Sequence, residues 1–403
     1  MTRLRAAVCV VATTVLIGCT AGSPILANAP APRPAIPLPT TRPSPPIDPL
    51  PVVLPRDDGP HHRLMEWWYY TGHLANDGPA AAPGRHTFGF EFVIFRAERG
   101  SFPTLWASQL AITDETGGAF YYAQRPQIGE AVDRSPRTAD GTPTGFDLAL
   151  TGADPTDPTT LDRPTWAMRG SGGIDQLTAA IGGGEAAAQA VPPLGLDLRL
   201  AARKPAALHG GDGWIDFGAS GGSYYYSRTS MAATGRVAMA GTTYDVTGDA
   251  WFDHQWGDFI SAGGGGWDWF AVNLADGTDL MLYLIRDTDG SYPIVHGSLV
   301  RPVGTVRQLE RDAFSVETTD RWRSPRSGAD YPAGWTIAIP SEDLTIDLRP
   351  TVANQELDTR ATSGVVYWEG SQVVRARRGT AELGGQAYVE LTGYGSSAAG
   401  STP

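Results

Sequence analysis

The clearest β-hairpin of the chain lies in its second half and decides the fold class. Residues 267–274 read WDWFAVNL, the pair Asp276-Gly277 follows, and residues 280–286 read LMLYLIR. Both runs are rich in the aromatic and branched apolar residues that strands favour, and Asp-Gly between two such runs is typical of a two-residue hairpin loop. The stretch therefore predicts two antiparallel strands joined by a tight turn.

Similar short runs recur between turn-forming residues along most of the chain. Further strands are predicted at residues 66–74, 88–96, 106–113, 119–123, 146–150, 223–227, 235–240, 243–252, 335–339, 344–348, 365–369 and 388–394. Only residues 184–190, in a stretch rich in alanine and glycine, favour a helix. So many strands without crossover helices predict an all-β protein, built as a barrel or a sandwich.

Composition agrees with this fold class and excludes one class of function. The chain has 49 glycines and 32 prolines among 403 residues, which suits a turn-rich β protein. Its formal net charge is −12, and no basic stripe runs along it. Proteins that bind nucleic acid normally carry a basic surface, so we expect no nucleic acid among its partners.

The N-terminus is predicted to direct export. Arg3 and Arg5 precede an apolar run that is too short to span a bilayer, and Leu16-Ile17-Gly18-Cys19 resembles a bacterial lipobox. Residues 1–19 are therefore interpreted as a lipoprotein signal peptide, with an ordinary secretory signal as the alternative. Lipidated Cys19 would then anchor the exported protein to the outer face of the cell membrane.

The rest of the chain is predicted to form a tether and two domains. Thirteen of the 32 prolines fall in residues 20–60, which are expected to be a disordered, Pro-rich tether. An N-terminal domain at 61–250 and a C-terminal domain at 251–395 follow, and residues 396–403 are expected to be a disordered tail. The only other cysteine, Cys9, lies within the signal peptide, so we expect no disulfide in the mature chain.

The predicted two-residue loop determines which hairpin residues face one another. It pairs Phe270 with Tyr283 and places Asp268 on the face of Phe270, with Tyr283 as a diagonal neighbour. Burial on such a face raises the pKa of a carboxyl group, which makes Asp268 a candidate proton donor. The alternatives are that this face is the barrel exterior, or that Asp268 is satisfied by an arginine or by backbone amides.

Two further strands carry polar groups among aromatic ones. The two-residue period places His254 and Trp256 on one face, and it places Glu66 on the face of Trp68 and Tyr70. The plain interpretation of such aromatic residues is core filling. The alternative is that they line the cavity of a barrel that holds one small apolar ligand.

Other candidate sites carry weaker signals. The seven histidines show no compact spacing with thiols or acids, so no metal site is predicted. Gly218-Ala219-Ser220-Gly221-Gly222 matches the G-x-S-x-G motif of serine hydrolases, but a strand and not a helix is predicted after it, which favours a glycine loop. Glu91 is predicted opposite the face of Phe88, Phe90 and Phe92, in a structural role.

Three stretches together resemble one family. They lie at residues 62–74 around Glu66-Trp67-Trp68-Tyr69, at residues 251–257 around His254-Gln255-Trp256, and at residues 367–370 with 388–394. In order and spacing they are similar to the lipocalin-like superfamily of carotenoid 1,2-hydratases and AttH-type proteins. The resemblance covers residues 61–395 and implies two tandem lipocalin-like antiparallel β-barrels with a ligand cavity near their junction.

The resemblance also implies a chemistry that needs no cofactor and no metal. Superfamily members hydrate isolated alkenes or cyclise polyenes, and the hydratases use an aspartic acid with nearby His, Trp and Tyr side chains. On this chain the catalytic residues would be Asp268, His254 and Trp256, with Tyr283 added from the hairpin pairing.

We therefore expect a polyene, terpenoid or lipid-like ligand and acid-catalysed addition of water. The ligand-binding residues would be Glu66, Trp68, Tyr70 and Phe270. The alternatives are a non-catalytic carrier of lipids or prenyl compounds, and a secreted hydrolase, as relatives are often labelled.

Overall fold

The protein is all-β, as predicted. Its computed structural model describes residues 48–76, 84–152, 160, 162–259 and 264–395. The predicted signal peptide with Cys19, residues 20–47 of the predicted tether and the predicted tail at 396–403 lie outside the described residues. Two curled, nearly closed antiparallel sheets hold the described strands, and α1 (Gly183–Ala188) overlaps the short helix predicted there.

The first sheet contains twelve strands. They are β1 (Met65–Asn76), β2 (Thr87–Ala97), β3 (Leu105–Asp114), β4 (Ala119–Ile128), β5 (Phe146–Leu150), β6 (Trp166–Ser171), β7 (Ile174–Ile181), β8 (Leu194–Ala202), β9 (Ala207–Leu208), β10 (Trp214–Asp216), β11 (Gly221–Met239) and β12 (Thr242–Phe259).

The second sheet contains eleven strands. They are β13 (Gly264–Leu274), β14 (Asp279–Asp287), β15 (Ile294–Val300), β16 (Val306–Leu309), β17 (Ser315–Arg323), β18 (Asp330–Ile339), β19 (Leu344–Pro350), β20 (Glu356–Asp358), β21 (Val366–Arg378), β22 (Ala381–Leu383) and β23 (Gly385–Thr392).

The two sheets repeat one connectivity. Their strand orders are β4-β3-β2-β1-β12-β11-β8-β7-β6-β5 and β16-β15-β14-β13-β23-β21-β19-β18-β17. In each sheet the first four strands form a meander. The first strand of that meander pairs on its other side with the last strand of the same sheet. This repetition agrees with the tandem arrangement that the sequence resemblance implied.

Each sheet encloses its own apolar core, and a third apolar cluster lies between the sheets. Phe88, Phe90 and Phe92 of β2 point into the first core, as predicted, whereas Val93 points outward into the cluster between the sheets. Side chains alternate along a strand, so each strand at the junction serves a core with one face and the junction with the other. This alternation positions the candidate site.

The structure differs from the predicted domain boundaries in two places. Strand β12 pairs with β1 and β11 through residues 251–257, so the predicted division after residue 250 falls inside a strand of the first sheet. Residues 48–60, predicted as tether, pack on that sheet. Asp58 is fully buried, and its Oδ1 accepts hydrogen bonds from Tyr226 (2.5 Å) and Arg228 (2.6 Å).

The predicted hairpin exists, but its loop is one residue longer than predicted. Gly277 N donates to Leu274 O, and Leu274 N donates to Thr278 O, both at 2.9 Å. Gly277 has a φ of 80°, so this is a three-residue loop that ends in a left-handed glycine. The Asp276 carboxylate accepts a hydrogen bond from Thr278 N at 2.9 Å and supports the loop.

The longer loop shifts the predicted pairing by one residue. Asp268 lies opposite Leu284, and Tyr283 lies opposite Trp269 and not opposite Phe270. A shift of one residue moves a side chain to the other face of the sheet. The prediction that Asp268 and Tyr283 share a face is therefore wrong.

No helix in the described part of the chain has the length and hydrophobicity of a membrane span.

Candidate active site

A narrow cavity of about 50 Å³ lies at the junction between the two sheets. We call it the junction cavity. Strands β1, β2, β11 and β12 line it from the first sheet, and β13, β14, β21 and β23 line it from the second. Its aromatic residues are Trp67, Tyr69, Phe95, Tyr225, Trp267, Trp269, Tyr283 and Tyr367. The outer faces of the two sheets thus form a small, largely aromatic, concave site, whose volume is well below the roughly 300–1,000 Å³ of pockets that enclose drug-sized ligands.

Four carboxyl groups line the same cavity, two from each sheet. Glu91 and Asp253 come from β2 and β12, and Glu369 and Glu390 come from β21 and β23. Glu390 is partly buried, and the other three are almost completely buried. Burial disfavours the charged form of a carboxyl group, and neighbouring carboxylates repel one another. The junction cavity therefore keeps part of this set protonated near neutral pH.

Glu369 and Glu91 are the two carboxyl groups held most firmly in the protonated form. Burial, reinforced by repulsion from Glu390, holds the pKa of both groups well above the usual range. Tyr69 donates a hydrogen bond to Oε1 of Glu369. Oε2 of Glu369 and Oε2 of Glu91 are buried and have no hydrogen-bond partner among the described residues. Each of these oxygens is therefore free to donate a proton to a bound molecule.

Asp253 and Glu390 titrate closer to neutrality. Burial raises the pKa of Asp253 to about 6, although Tyr225 and Trp251 donate hydrogen bonds to its carboxylate at 2.5 and 2.6 Å. Burial raises the pKa of Glu390 to about 7, although Trp267 Nε1 donates to its Oε2 at 3.1 Å. Each of these two groups can therefore gain or lose a proton near physiological pH.

This arrangement can support acid–base chemistry on an apolar molecule. Carboxyl groups whose pKa values differ within one site can serve as the acid and the base of the same reaction. The aromatic faces around them can stabilise a positive charge that develops on carbon.

A second polar cluster lies on the inner face of β1 and β12, inside the first sheet. His61 Nδ1 and His254 Nε2 lie 2.7 and 3.0 Å from Oε1 of Glu66. The Trp256 ring stacks on His61 with the ring centroids 4.0 Å apart. The three ligand atoms are close enough together to hold one metal ion. The sequence predicted no metal site because only His61 and Glu66 are close in the chain, and His254 joins them through the pairing of β12 with β1.

The surroundings of the cluster favour a hydrogen-bonded ion pair over a metal site. A metal-bound histidine normally donates its second ring N–H to an acceptor. His61 has Asp57 3.5 Å from its Nε2, but Nδ1 of His254 is buried and has no partner in the part of the chain that the structure describes. Burial by itself would raise the pKa of Glu66, yet His61 and His254 lower it to about 2. Ionised Glu66 therefore connects His61, which precedes β1, with His254 on β12.

The structure places the predicted catalytic residues in three separate regions. Asp268 lies inside the second sheet, His254 and Trp256 lie in the Glu66 cluster, and Tyr283 lines the junction cavity.

Asp268 is paired with an arginine. The sequence had left this pairing open as an alternative to a role as proton donor. Arg286 Nη1 donates to its Oδ1 at 2.8 Å, and Tyr292 and Tyr394 donate to its carboxylate at 3.0 Å each. Burial raises the pKa of Asp268, and Arg286 opposes that rise.

The predicted ligand-binding residues do not line the junction cavity. Glu66, Trp68 and Tyr70 share the inner face of β1, as their spacing predicted, and are fully buried within the first sheet. Phe270 is buried in the second core. Their positions correspond to core filling, the plain interpretation of the pattern.

Sequence reasoning did not single out three of the four cavity acids, and it gave the fourth, Glu91, a structural role. Asp253, Glu369 and Glu390 all lie in the stretches that carried the family resemblance, and each alternates with inward-facing apolar residues. That alternation could have placed them together on outer faces. Outward carboxylates on a strand are usually solvated, however, and only packing of one sheet on the other buries these three.

Ser220 lies in a 3₁₀ turn, Gly218–Ser220, that leads directly into β11. A nucleophile elbow requires a helix at this point. The structure agrees with the predicted glycine loop.

Known proteins share this architecture. The model of the AttH-like family matches residues 45–394. A solved structure described as AttH, from Nitrosomonas europaea, is 28% identical with a TM-score of 0.69 and covers 86% of this chain and 98% of its own. Kievitone hydratase from Nectria haematococca is similar in fold, with 14% identity, a TM-score of 0.59 and coverage of 85% and 93%.

A curated relative is similar over a shorter stretch. The dehydratase asqC of Emericella nidulans is 24% identical over 171 residues, which are 41% of this chain and 48% of asqC. The chain thus spans about half the length of this relative. The AttH-like match, in contrast, includes both sheets, both cores and the junction cavity, and on that basis the protein belongs to the AttH-like family.

Proposed function

We propose that the protein is a cofactor-free hydro-lyase, which adds water to an alkene or removes it from an alcohol in the junction cavity. The observation that carries the proposal is the convergence of Glu91, Asp253, Glu369 and Glu390 on one aromatic cavity. Each sheet contributes two of these acids. The names of two similar proteins, a hydratase and a dehydratase, support the same class of reaction.

In the hydration direction, Glu369 supplies the proton. Its protonated carboxyl gives a proton to one alkene carbon, and the positive charge develops on the other carbon. The π faces of Trp267 and Trp269 stabilise that charge. Water then forms the new C–O bond, and ionised Glu390 takes the proton that the water releases. Transfer of that proton from Glu390 to Glu369 restores the starting state.

The proposed substrate is an apolar compound with an alkene that forms a tertiary cation, such as a prenyl or terpenoid group, or the tertiary alcohol of that group. Acid-catalysed hydration needs such a carbon because a less substituted cation is much less stable. The aromatic wall suits this substrate class, and the tryptophan and tyrosine rings offer large contact areas.

A carrier without turnover is the second candidate. Pairing of Asp268 with Arg286 favours it, because that pairing ties up the acid that the family resemblance implied. A carrier would use the aromatic cavity and would not need the protonated acids.

The test uses prenylated phenols and the tertiary alcohols derived from them as probes. Purified protein is incubated with each probe in ¹⁸O-labelled water, and mass spectrometry measures ¹⁸O in the alcohol. We expect incorporation with the native protein. Glu369→Gln should lower kcat by at least about a hundredfold with little change in KM, because glutamine keeps the shape but cannot donate the proton.

A matched control is Glu356→Gln, since Glu356 is a buried acid of β20 that accepts a hydrogen bond from Ser324 at 2.6 Å outside the cavity. It should retain the native rate. A loss of rate in Asp268→Asn with none in Glu369→Gln would transfer the acid role to Asp268. Tight retention of a probe without ¹⁸O incorporation would reject the hydro-lyase and favour the carrier.

We also propose that the protein is exported and held at the outer face of the cell membrane through lipidated Cys19. Leu16-Ile17-Gly18-Cys19 and the proline-rich residues that follow support this proposal.

A further inference from the structure

Exposed apolar side chains gather at one end of the first sheet. Among the described residues, large apolar side chains remain exposed there at Leu50, Val53, Leu64, Phe102 and Ile128. Phe102 is 70% exposed and Ile128 is 65% exposed. A single exposed apolar residue is ordinary, whereas a group of them marks a surface that contacts something less polar than water. We call these five residues the apolar rim.

Backbone hydrogen bonds hold the members of the rim close together. Leu64 O accepts from Glu98 N at 3.1 Å, and Glu98 begins the connection between β2 and β3 that carries Phe102. At the end of that connection, Thr104 O accepts from Gly129 N at 2.8 Å, directly after Ile128. The start of β1, the end of β2, the start of β3 and the end of β4 therefore meet at the rim.

The N-terminal segment joins the body at the same end. Arg63, which directly precedes Leu64, donates from Nη1 to Asp48 at 2.9 Å and to Asp258 at 2.8 Å. Leu50 N donates to the hydroxyl of Tyr224 at 2.6 Å. Residues 20–47 connect to the body at Asp48, so a lipid anchor on Cys19 would be attached beside the rim.

The junction cavity is most exposed at this end. Of its lining residues, Trp67, Phe95, Trp267 and Glu390 are half-buried, and the others are buried. Trp67 lies opposite Phe95, two residues from the start of β1 and from the end of β2. The three half-buried rings therefore form the mouth of the cavity, next to Leu64 and the connection that carries Phe102.

Charge does not explain what covers the rim. Nearby arginines are paired with acids: Arg56 with Asp57, Arg63 with Asp48, and Arg96 with Glu98. The chain as a whole carries a formal net charge of −12. An anionic surface would be repelled by this charge. The rim therefore suits an electrically neutral, apolar layer.

We propose that the apolar rim docks on the surface of a lipid bilayer and holds the mouth of the junction cavity against it. Phe102 and Ile128 insert between the headgroups, where apolar side chains lose contact with water. The proposal deepens the proposed function and rests on its apolar substrate class. A prenyl or terpenoid compound dissolved in the bilayer then reaches the cavity without crossing water.

The rim also supplies what an anchor alone does not. The 28 residues between Cys19 and Asp48 reach about 87 Å when extended at ~3.1 Å per residue. A tether of that length retains the body near a membrane but leaves its orientation free. Contact through the rim fixes the orientation, with the cavity mouth toward the lipid.

Hydrogen exchange measured by mass spectrometry tests the surface and needs no substrate. The mature protein is mixed with phosphatidylcholine vesicles, and exchange is compared with and without lipid. Amides of residues 98–104 and 126–130 should exchange at least about tenfold more slowly with vesicles. Residues 301–305 connect β15 to β16 at the opposite end of the second sheet and should be unaffected.

The double variant Phe102→Asp/Ile128→Asp replaces the two most exposed side chains of the rim. It should lose the protection by vesicles and keep the native melting temperature, because neither side chain is buried. The matched control is Val303→Asp, at a side chain that is 81% exposed in residues 301–305. This variant should keep the protection. All three proteins retain Cys19, so a difference between the two variants separates the rim from the anchor.

Four results would overturn the docking surface. One is the absence of protection at the rim with vesicles, and another is equal protection in the native protein and the double variant. A third is protection that appears without vesicles as protein concentration rises, since a second copy of the chain would then cover the rim. The last is protection only with anionic phosphatidylglycerol, which would assign the contact to charge. Absence of ¹⁸O incorporation would reject the hydro-lyase and leave the exchange result intact.

Discussion

Trp269 on β13 lies directly opposite Tyr283 on β14, and both side chains enter the cluster between the two sheets. Because neighbours along a strand alternate between faces, this pairing turns Asp268 and Phe270 into the second sheet. The three-residue loop at 275–277 thus decides that the junction receives aromatic rings from this hairpin. The acids of the junction cavity come from other strands.

The raised pKa of Glu390 predicts that stability depends on pH. Its pKa is about 7 in the folded protein against a usual value of 4.5, so folding favours the protonated form. This contribution is fully present below about pH 4.5 and is lost as pH rises toward 7. Glutamine cannot ionise, so the free energy of unfolding of Glu390→Gln should fall by about 2 kcal/mol less than that of the native protein as pH rises. The figure is reduced because Glu390 is partly exposed.

Urea unfolding at pH 5 and pH 8, values on either side of the expected transition at about 7, measures this effect. Glu382→Gln, at an exposed acid of β22, is the control and should retain the native pH dependence. A Glu390→Gln variant with an undiminished fall in stability between the two pH values would contradict the raised pKa.

Arg286 should stabilise the fold by pairing the buried Asp268. Arg286→Met leaves that carboxylate unpaired, and the free energy of unfolding should fall by about 3–5 kcal/mol. The double variant Asp268→Asn/Arg286→Met should recover much of the loss. Chemical denaturation of the two variants and the native protein gives the comparison.

An exposed ion pair provides the control for this experiment. Arg321 and Asp330 are paired, and their side chains are 49% and 54% exposed. Arg321→Met should cost less than about 1 kcal/mol. Equal losses in Arg286→Met and Arg321→Met would argue against a buried pair at Asp268.

Residues 48–60 should contribute to the stability of the first sheet. Asp58→Ala leaves Arg228 buried without its carboxylate partner and should cost about 3–5 kcal/mol. A chain that starts at residue 48 should melt like the full chain, whereas one that starts at residue 61 should melt well below it. Indistinguishable melting of the two shortened chains would show that the segment does not stabilise the sheet.

Lipidation at Cys19 predicts membrane retention. Cys19→Ala should release the protein into the soluble fraction or leave unprocessed precursor, because the acyl chains have no other attachment site. Fractionation and the mass of the N-terminal peptide measure the result. Unchanged membrane association of a processed Cys19→Ala protein would contradict the lipobox interpretation.

Local sequence signals were sufficient for thirteen of the 23 described strands and for the inner faces of several of them, whereas β6–β10, β15–β17, β20 and β22 were not predicted. Strand bounds at 88–96 and 146–150 were predicted within one residue of β2 and β5, because alternation and turn residues act over a few positions. The same alternation placed Phe88, Phe90 and Phe92 together, and it placed Glu66 with Trp68 and Tyr70. Those assignments need only the geometry of one strand.

The register of the hairpin and the identity of the buried acids required the tertiary structure. Asp276-Gly277 suits both a two-residue and a three-residue loop, and only the backbone hydrogen bonds of Leu274 with Gly277 and Thr278 distinguish them. Glu369 and Glu390 resemble solvated outward residues in sequence, and Glu369 becomes buried and Glu390 partly buried only because one sheet packs on the other. Asp253 lies opposite Ser227 on the neighbouring strand. His209, which is hydrogen-bonded to Ser227, contacts Ser298 of the second sheet only because the two sheets pack together. Contacts between distant segments depend on how the sheets dock, which no local pattern specifies.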